Sequence, residues 1–254
     1  MKVAIAGAGG RMGRTLIEAV LADRELTLAA AFDVAGSPAI GQRAGNVAIV
    51  SDAQVLEQAD VVIDFSRPEG TLSHLARARA MVIGTTGFSD AQVKSISEKA
   101  KSIPIVMAAN FAVGVNVAYK LVETAARALG DAYDVEIIEA HHRHKVDAPS
   151  GTALKLGQVV AKALNRKLSE VARHGRAGDT GERPPAQIGF HAVRGGDIVG
   201  EHTVMFAGAG ERLEVTVRSQ SRMTYALGAM RAAKFLNGRA AGLYDMTHVL
   251  NLSV

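Results

Sequence analysis

Apolar and polar positions alternate in blocks along the first half of the chain. "KVAIA" (Lys2–Ala6) is a short apolar run that breaks at glycine, as a buried strand does. Arg11 to Asp23 puts Met12, Leu16, Val20 and Leu21 on one helical stripe. "LTLAAAFD" (Leu26–Asp33), "DVVIDF" (Asp60–Phe65), "MVIG" (Met81–Gly84) and "PIVMAAN" (Pro104–Asn110) predict four more strands. Ser89 with Gln92 predicts a capping box for a helix to about Lys101. Strands that alternate with helices in this way predict a parallel, doubly wound sheet.

The pattern changes after Asn110. A helix is predicted from about Val115 to Leu129, a strand at "YDVEIIEAH" (Tyr133–His141) and a helix from Gly151 to Leu164. Asn165 to Pro185 is polar and rich in Gly, Arg and Pro, which predicts a long loop. Gln187 to Ser219 predicts consecutive strands, with turns at "RGGD" (Arg194–Asp197) and "GAGE" (Gly208–Glu211). Leu213, Val215 and Val217 fall on one face of the last strand, Glu214 and Thr216 on the other. The expectation is an N-terminal Rossmann-type parallel sheet (1–112), completed by 222–254, and a C-terminal α+β domain (113–221) with a mixed or antiparallel sheet. That second sheet has helices on one side only, so its other face needs a cover, and association is the expected one. Asp at Val215 and Val217 is expected to disturb assembly, provided their face is the buried one. An amphipathic helix from Met223 to Leu236 can return to the first domain.

Composition narrows the class. The chain has 254 residues, 48% hydrophobic and 21% charged, which fits a globular protein with a real core. It has no cysteine, so disulfides and thiolate metal sites are excluded. The N-terminal apolar run is too short for a signal peptide, and no run is long enough to span a membrane. Cytoplasm is the expected compartment. The net charge of +4 suits anionic ligands, but no dense basic block with interleaved aromatics predicts nucleic-acid binding.

Two stretches carry chemistry. "GAGGRMG" (Gly7, Ala8, Gly9, Gly10, Arg11, Met12, Gly13) lies between a predicted strand and a predicted helix, the setting of a dinucleotide-binding loop. Asp33 follows 20 residues after Gly13, placed to accept from ribose hydroxyls. Its carboxylate, followed by Val34, leans toward NADH over NADPH. Arg43 lies further on as a cation that a 2′-phosphate would need. The loops at the ends of the fourth and fifth predicted strands, with Gly84, Thr85, Thr86, Ala108, Ala109, Asn110 and Phe111, suit a nicotinamide ring, though each is equally an ordinary turn.

The second stretch is "IEAHHRHKVDAPSGTA" (Ile138–Ala153), which holds three of the eight histidines. His141 and His142, adjacent at a strand end, are expected on opposite faces. Lys145 follows, and Ser150, Gly151 and Thr152 open a helix whose free N–H groups suit a carboxylate. This set fits a small dianionic substrate. Other readings stand beside it: a metal site from His141, His142 and His144, which lacks helical ligand spacing; a solvated polar loop; and turn roles for Asp147 and Pro149.

The chain resembles the 4-hydroxy-tetrahydrodipicolinate reductase family over nearly its whole length. "VAIAGAGGRMGR", "DFSRPEGT", "VIGTTGF", "AANFAVGVN", "EIIEAHHRHKVDAPSGTAL", "HAVRGGDIVGEHTVMF" and "SRMTYALGA" carry the resemblance. It implies NADH- or NADPH-dependent reduction of a cyclic imine dicarboxylate in lysine and diaminopimelate synthesis. It implies His141 as the proton donor with Lys145 as partner, and His142 with the Gly151–Thr152 backbone as carboxylate holders. The glycine loop, Asp33, Arg67, Gly84–Thr86 and Ala108–Phe111 are implied to contact the nucleotide. No metal is implied, and the implied assembly is a homotetramer. Two departures stand out: Val34 in place of an arginine, and a short "HLARARAMVIG" segment that should end its helix early. The rival readings are another NAD(P)-dependent amino or keto acid dehydrogenase and a non-catalytic dinucleotide sensor. A sensor has no need of a proton donor.

Overall fold

The strands of the first unit are apolar on both faces, so they need cover on both sides. The computed structural model, which describes residues 1–252, supplies it. One unit comprises Met1–Val113 and the chain from Arg222 on; the other is Gly114–Ser221.

The first unit begins with β1 (Lys2–Ala6), α1 (Arg11–Ala22), β2 (Thr27–Phe32), β3 (Arg43–Ala44), β4 (Val47–Val50) and β5 (Val61–Asp64). It continues with α2 (Pro68–Leu75), β6 (Met81–Ile83), α3 (Asp90–Lys99) and β7 (Pro104–Met107). Ser89 and Gln92 form the reciprocal capping box at the start of α3. Helix α2 stops at Leu75, and a tight turn enters β6.

The second unit holds α4 (Val113–Leu129), β8 (Asp134–His141), α5 (Gly151–Ala163), α6 (Leu168–Val171), β9 (Ala172–His174), β10 (Ile188–Arg194), β11 (Gly200–Ala207) and β12 (Arg212–Ser219). The chain then returns to the first unit with α7 (Met223–Leu236), β13 (Gly242–Tyr244) and α8 (Met246–Leu250).

The eight-stranded sheet runs β13-β7-β6-β5-β1-β2-β4-β3, parallel except where β3 meets β4. Val3 and Ile5 face a core shared with α1 and α7; Ala4 and Ala6 face a second core with Leu56, Leu75 and Ile96. Helix α7 buries Ala226, Gly228, Ala229, Ala232 and Ala233, small residues that permit close approach. A side chain at Gly228 would run into the Phe111 carbonyl. The short strands β3, β4 and β13 have no counterpart in the sequence pattern.

The second sheet runs β12-β11-β8-β10-β9 and is mixed: β8, β9 and β10 are parallel, while β11 is antiparallel to both its neighbours. Val135 and Ile137 of β8, Phe190 of β10, and Val204 and Phe206 of β11 pack with Leu156 and Val160 of α5. The opposite face leaves Ile138 and Val193 exposed. Register corrects one expectation here. Val215 pairs with Val204 and Val217 with His202, so both belong to the helix-covered face; Thr216 and Glu214 share the open one. The stretch 165–185 is not a bare loop either. It forms α6 and β9, and Arg176 and Arg183 then bond the Glu136 carboxylate. Burial pushes Glu136 up, but Arg176, Arg183 and His191 outweigh it and hold its pKa at about 2.

Candidate active site

In the parallel sheet, β1 is the point where the chain switches direction, and the crevice at its carboxyl end is where such sheets bind ligands. The glycine loop sits there. Gly7 has φ of 82°, and its N–H and that of Ala8 both donate to the Phe32 carbonyl. A Cβ on Gly13 would strike the Gly7 carbonyl, so only glycine lets α1 start this close to the loop. Gly9 N–H donates to Asp33 at 2.9 Å, Ser37 Oγ to Asp33 at 2.8 Å, and Val34 N–H to Asp33 at 2.8 Å. Arg11 is exposed and Met12 half-buried at the first turn of α1. These features fit a dinucleotide: a tight turn, a helix start with free N–H groups, and a carboxylate beside the loop.

The remaining predicted nucleotide contacts lie at the carboxyl ends of neighbouring strands. Arg67 is exposed at the start of α2. Gly84 packs against the Phe65 ring. Thr86 is exposed, but the Thr85 hydroxyl is buried and donates to Asp64 at 3.0 Å. Ala108 and Ala109 follow β7 and help line a pocket of about 390 Å³ with Tyr244, Asp245 and His248. The Asn110 side-chain oxygen accepts from the Ala112 N–H. The Phe111 side chain is buried against Phe65, so only its backbone is offered to a ligand.

Within this unit a buried network was not anticipated. Asp64 accepts from Ser66, Thr71 and Thr85 hydroxyls and contacts His74 Nδ1 at 2.6 Å. It ties the turn after β5, which carries Arg67, to the start of the loop after β6.

In the second unit, the histidine stretch begins at the end of β8. Strand alternation puts Glu139 and His141 on one face. His141 Nδ1 lies 2.5 Å from Glu139 Oε2. Glu139 is 1% exposed. Arg194 of β10 grips it with both guanidinium nitrogens, at 2.8 and 2.7 Å, and the Ser150 N–H donates at 3.1 Å. Burial pushes the Glu139 carboxyl up, and Arg194 and His141 more than reverse that.

Burial lowers the His141 pKa, Glu139 opposes the shift, and Lys145 and Arg194 add to it. The His202 ring of β11 stands 5.1 Å from that of His141, edge to face. Burial first, then the His141 charge, push His202 down to about 4, so it is neutral near pH 7. Its Nε2 meets Ser150 Oγ at 2.9 Å, and Ser150 caps α5 by accepting from Ala153 N–H.

His142 leaves the strand, and its Nδ1 is buried without a hydrogen-bond partner. Lys145 Nζ is paired to both Asp147 oxygens, at 2.8 and 2.9 Å, so Asp147 does more than shape a turn. Gly151 and Thr152 form the first turn of α5. Arg143, His144 and Val146 are exposed. Among the described residues no group of three or more His, Asp or Glu is arranged to hold a metal, and no helix is long and apolar enough to cross a membrane. The sequence reading missed Glu139, Arg194 and His202. Spacing of two along β8 could have found the first; the others depend on strand register.

Residues 1–111 match the family described as "Dihydrodipicolinate reductase, N-terminus", and residues 114–250 match "Dihydrodipicolinate reductase, C-terminus". A 4-hydroxy-tetrahydrodipicolinate reductase of Dechloromonas aromatica (strain RCB) is 59% identical over 263 residues, covering 99% of this chain and 98% of the relative. One from Cupriavidus necator is 59% identical over 264 residues, covering 99% of this chain and 100% of the relative. Among solved structures, a dipicolinate-bound dihydrodipicolinate reductase from Paenisporosarcina sp. TG-14 aligns with a TM-score of 0.78 at 26% identity, over 98% of each chain. A probable dehydrogenase from Thermotoga maritima aligns with a TM-score of 0.63 at 10% identity, over 98% of this chain and 92% of that one, a likeness of fold alone.

Proposed function

The chain belongs to the dihydrodipicolinate reductase family, and we propose that it reduces 4-hydroxy-tetrahydrodipicolinate to tetrahydrodipicolinate with His141 as the proton donor. The observation that carries the assignment to His141 is its setting: a buried imidazole fixed through Nδ1 and lying in one stretch with Lys145 and the start of α5.

The substrate loses its hydroxyl as water, which leaves a carbon–carbon double bond conjugated with the ring C=N. When bound, the reduced nicotinamide, of NADH or NADPH, supplies a hydride to the far end of that system. Electron density then moves toward nitrogen, and a proton must reach the neighbouring carbon. An imidazolium suits that step; burial lowers the proton affinity of this one, and Glu139 opposes the shift. His141 gives up one proton and remains neutral.

The two carboxylates of the substrate need cations and N–H donors. Lys145 provides the cation. Its partner Asp147 is largely exposed, and such pairs are worth only about 0.2–1 kcal/mol, so a substrate carboxylate exchanges for Asp147 at little cost. The Gly151 and Thr152 N–H groups at the start of α5 receive a carboxylate, and the buried unpartnered Nδ1 of His142 gains a partner there. Gly7 to Gly13 cradle the pyrophosphate and Asp33 accepts from the ribose. Arg67, Gly84 to Thr86 and the backbone from Ala108 to Phe111 complete the nucleotide contacts. The Asp33 carboxylate and the exposed Val34 beside it favour NADH.

The direct test follows absorbance of the reduced nucleotide when the imine substrate is supplied. A substrate-dependent fall is expected, and none would sink the reading. Use of a nicotinamide nucleotide suits a cytoplasmic enzyme. The open sheet face with Ile138 and Val193 supports association as a homotetramer. Light scattering should give about four chains, and Asp at both positions should lower that mass.

A further inference from the structure

Glu139 is almost wholly buried and ionised, and proton delivery as described above assigns it no step. Such a group is costly to keep unless it is paired. Here Arg194 pairs with it through two parallel bonds, and the Ser150 N–H adds a third. One Arg194 nitrogen also donates to the Asp147 carbonyl at 2.7 Å, so the same guanidinium holds the loop that carries Lys145. Every remaining direction of the carboxylate is spent on His141 Nδ1.

We propose that Glu139 is the positioning residue of the proton donor: clamped by Arg194, it keeps His141 in the tautomer that carries hydrogen on Nδ1, so that Nε2 alone exchanges the proton with substrate. This rests on the reading of His141 as the donor. In the protonated ring Nδ1–H bonds Glu139 and Nε2–H goes to carbon. The ring is then neutral with Nδ1–H unchanged, and Nε2 takes a proton from solvent to reset. Glu139 stays a carboxylate throughout.

The groups that face His141 set its titration. Glu139 on its own strand favours the imidazolium, while Lys145 of the loop and Arg194 of β10 oppose it. His202 of β11 contributes no charge near pH 7, because its ring is neutral and engaged with Ser150. Glu139 is thus the anion that favours the imidazolium, and its removal must move the pH at which the donor loses its proton.

The test is Glu139→Gln, which keeps shape and removes charge. As an acid, His141 is active below its pKa, so kcat falls as pH rises through it. Without the carboxylate that alkaline limb should move down by about one pH unit. Turnover at pH 7.5 should fall about 10–100-fold, with KM for substrate and nucleotide nearly unchanged. Glu139→Asp, which restores the charge, should return the limb toward its wild-type position. In a His141→Gln background, Glu139→Gln should cost nothing more, since its effect passes through the ring.

A folded Glu139→Gln enzyme with wild-type turnover and an unmoved limb overturns the inference while leaving His141 as donor. So does a double variant clearly slower than His141→Gln. Wild-type turnover in His141→Gln overturns the donor reading itself. If Glu139→Gln fails to fold, ¹⁵N shifts of His141 in the unaltered protein decide the matter: hydrogen on Nδ1 of the neutral ring is expected, and hydrogen on Nε2 refutes the proposal.

Discussion

Among the described residues two buried histidine–carboxylate pairs stand out, one in each unit. His74 meets Asp64 at 2.6 Å, and His141 meets Glu139 at 2.5 Å. By distance and burial they are near twins. Their surroundings differ. Asp64 is otherwise bonded by hydroxyls, from Ser66, Thr71 and Thr85, and the His74 ring packs edge-on against Phe32. Glu139 is bonded by a guanidinium, and the ring it holds has Lys145 and a second histidine as neighbours. The first pair closes a network of neutral groups and fixes a turn. The second sits among charges that set a proton affinity. A short histidine–carboxylate contact is therefore no signature of catalysis; what surrounds it decides.

Substitution of the two histidines should separate the pairs. His141→Gln is expected to cut kcat by about 10²–10⁴, as loss of a general acid does, with nucleotide affinity by fluorescence unchanged. Comparable turnover in the variant would erase the distinction. Lys145→Ala comes next, with about tenfold to hundredfold lower kcat/KM, shared between the two parameters because a cation is lost from a bound dianion. His142→Gln should act mainly through KM. Steady-state kinetics on the pair sharpens the division between proton donor and carboxylate holder.

His74→Gln should behave in the opposite sense. It weakens a buried contact and should cost about 1–3 kcal/mol of stability, read as a lower Tm, while kcat stays within about twofold below the melting range. A stable His74 variant with lost turnover would break the comparison from the other side. The smallest effect concerns the nucleotide. Asp33 with Val34 should give a kcat/KM for NADH at least equal to that for NADPH at low salt. A strong preference for NADPH would sink the reading of Asp33.

The sequence made the first unit legible because its strands are continuous apolar runs closed by glycine or a polar residue, as between Lys2 and Gly7. The strands β3, β9 and β13 escaped because two or three residues make no pattern, and their pairing is supplied by β4, β10 and β7. In the histidine stretch the order of residues exposed His141, His142 and Lys145, since they lie together in the chain. Arg194 and His202 lie 55 and 63 positions from Glu139 in sequence and opposite it or nearby only through register. Arg194 sat inside "RGGD", where the glycines spoke for a turn and masked a ligand of the buried acid. Val215 and Val217 were grouped correctly as one face, but alternation cannot say which side the helices cover; pairing to Val204 and His202 does.

Helix α7 and strand β13 complete the first unit although they are made only after the second. During synthesis, the initial 113 residues leave the ribosome with Val3, Ile5 and Val106 short of the helix that shares their core. About a hundred residues must follow before Met223 to Leu236 arrive, some 5–20 s at ordinary rates of elongation. The inserted unit has its whole sequence in hand by then. The half that binds the nucleotide thus begins first and closes last, and a chain stopped at Ser221 would hold every glycine of its loop over a sheet with α1 alone, and not α7, on the face of Val3 and Ile5.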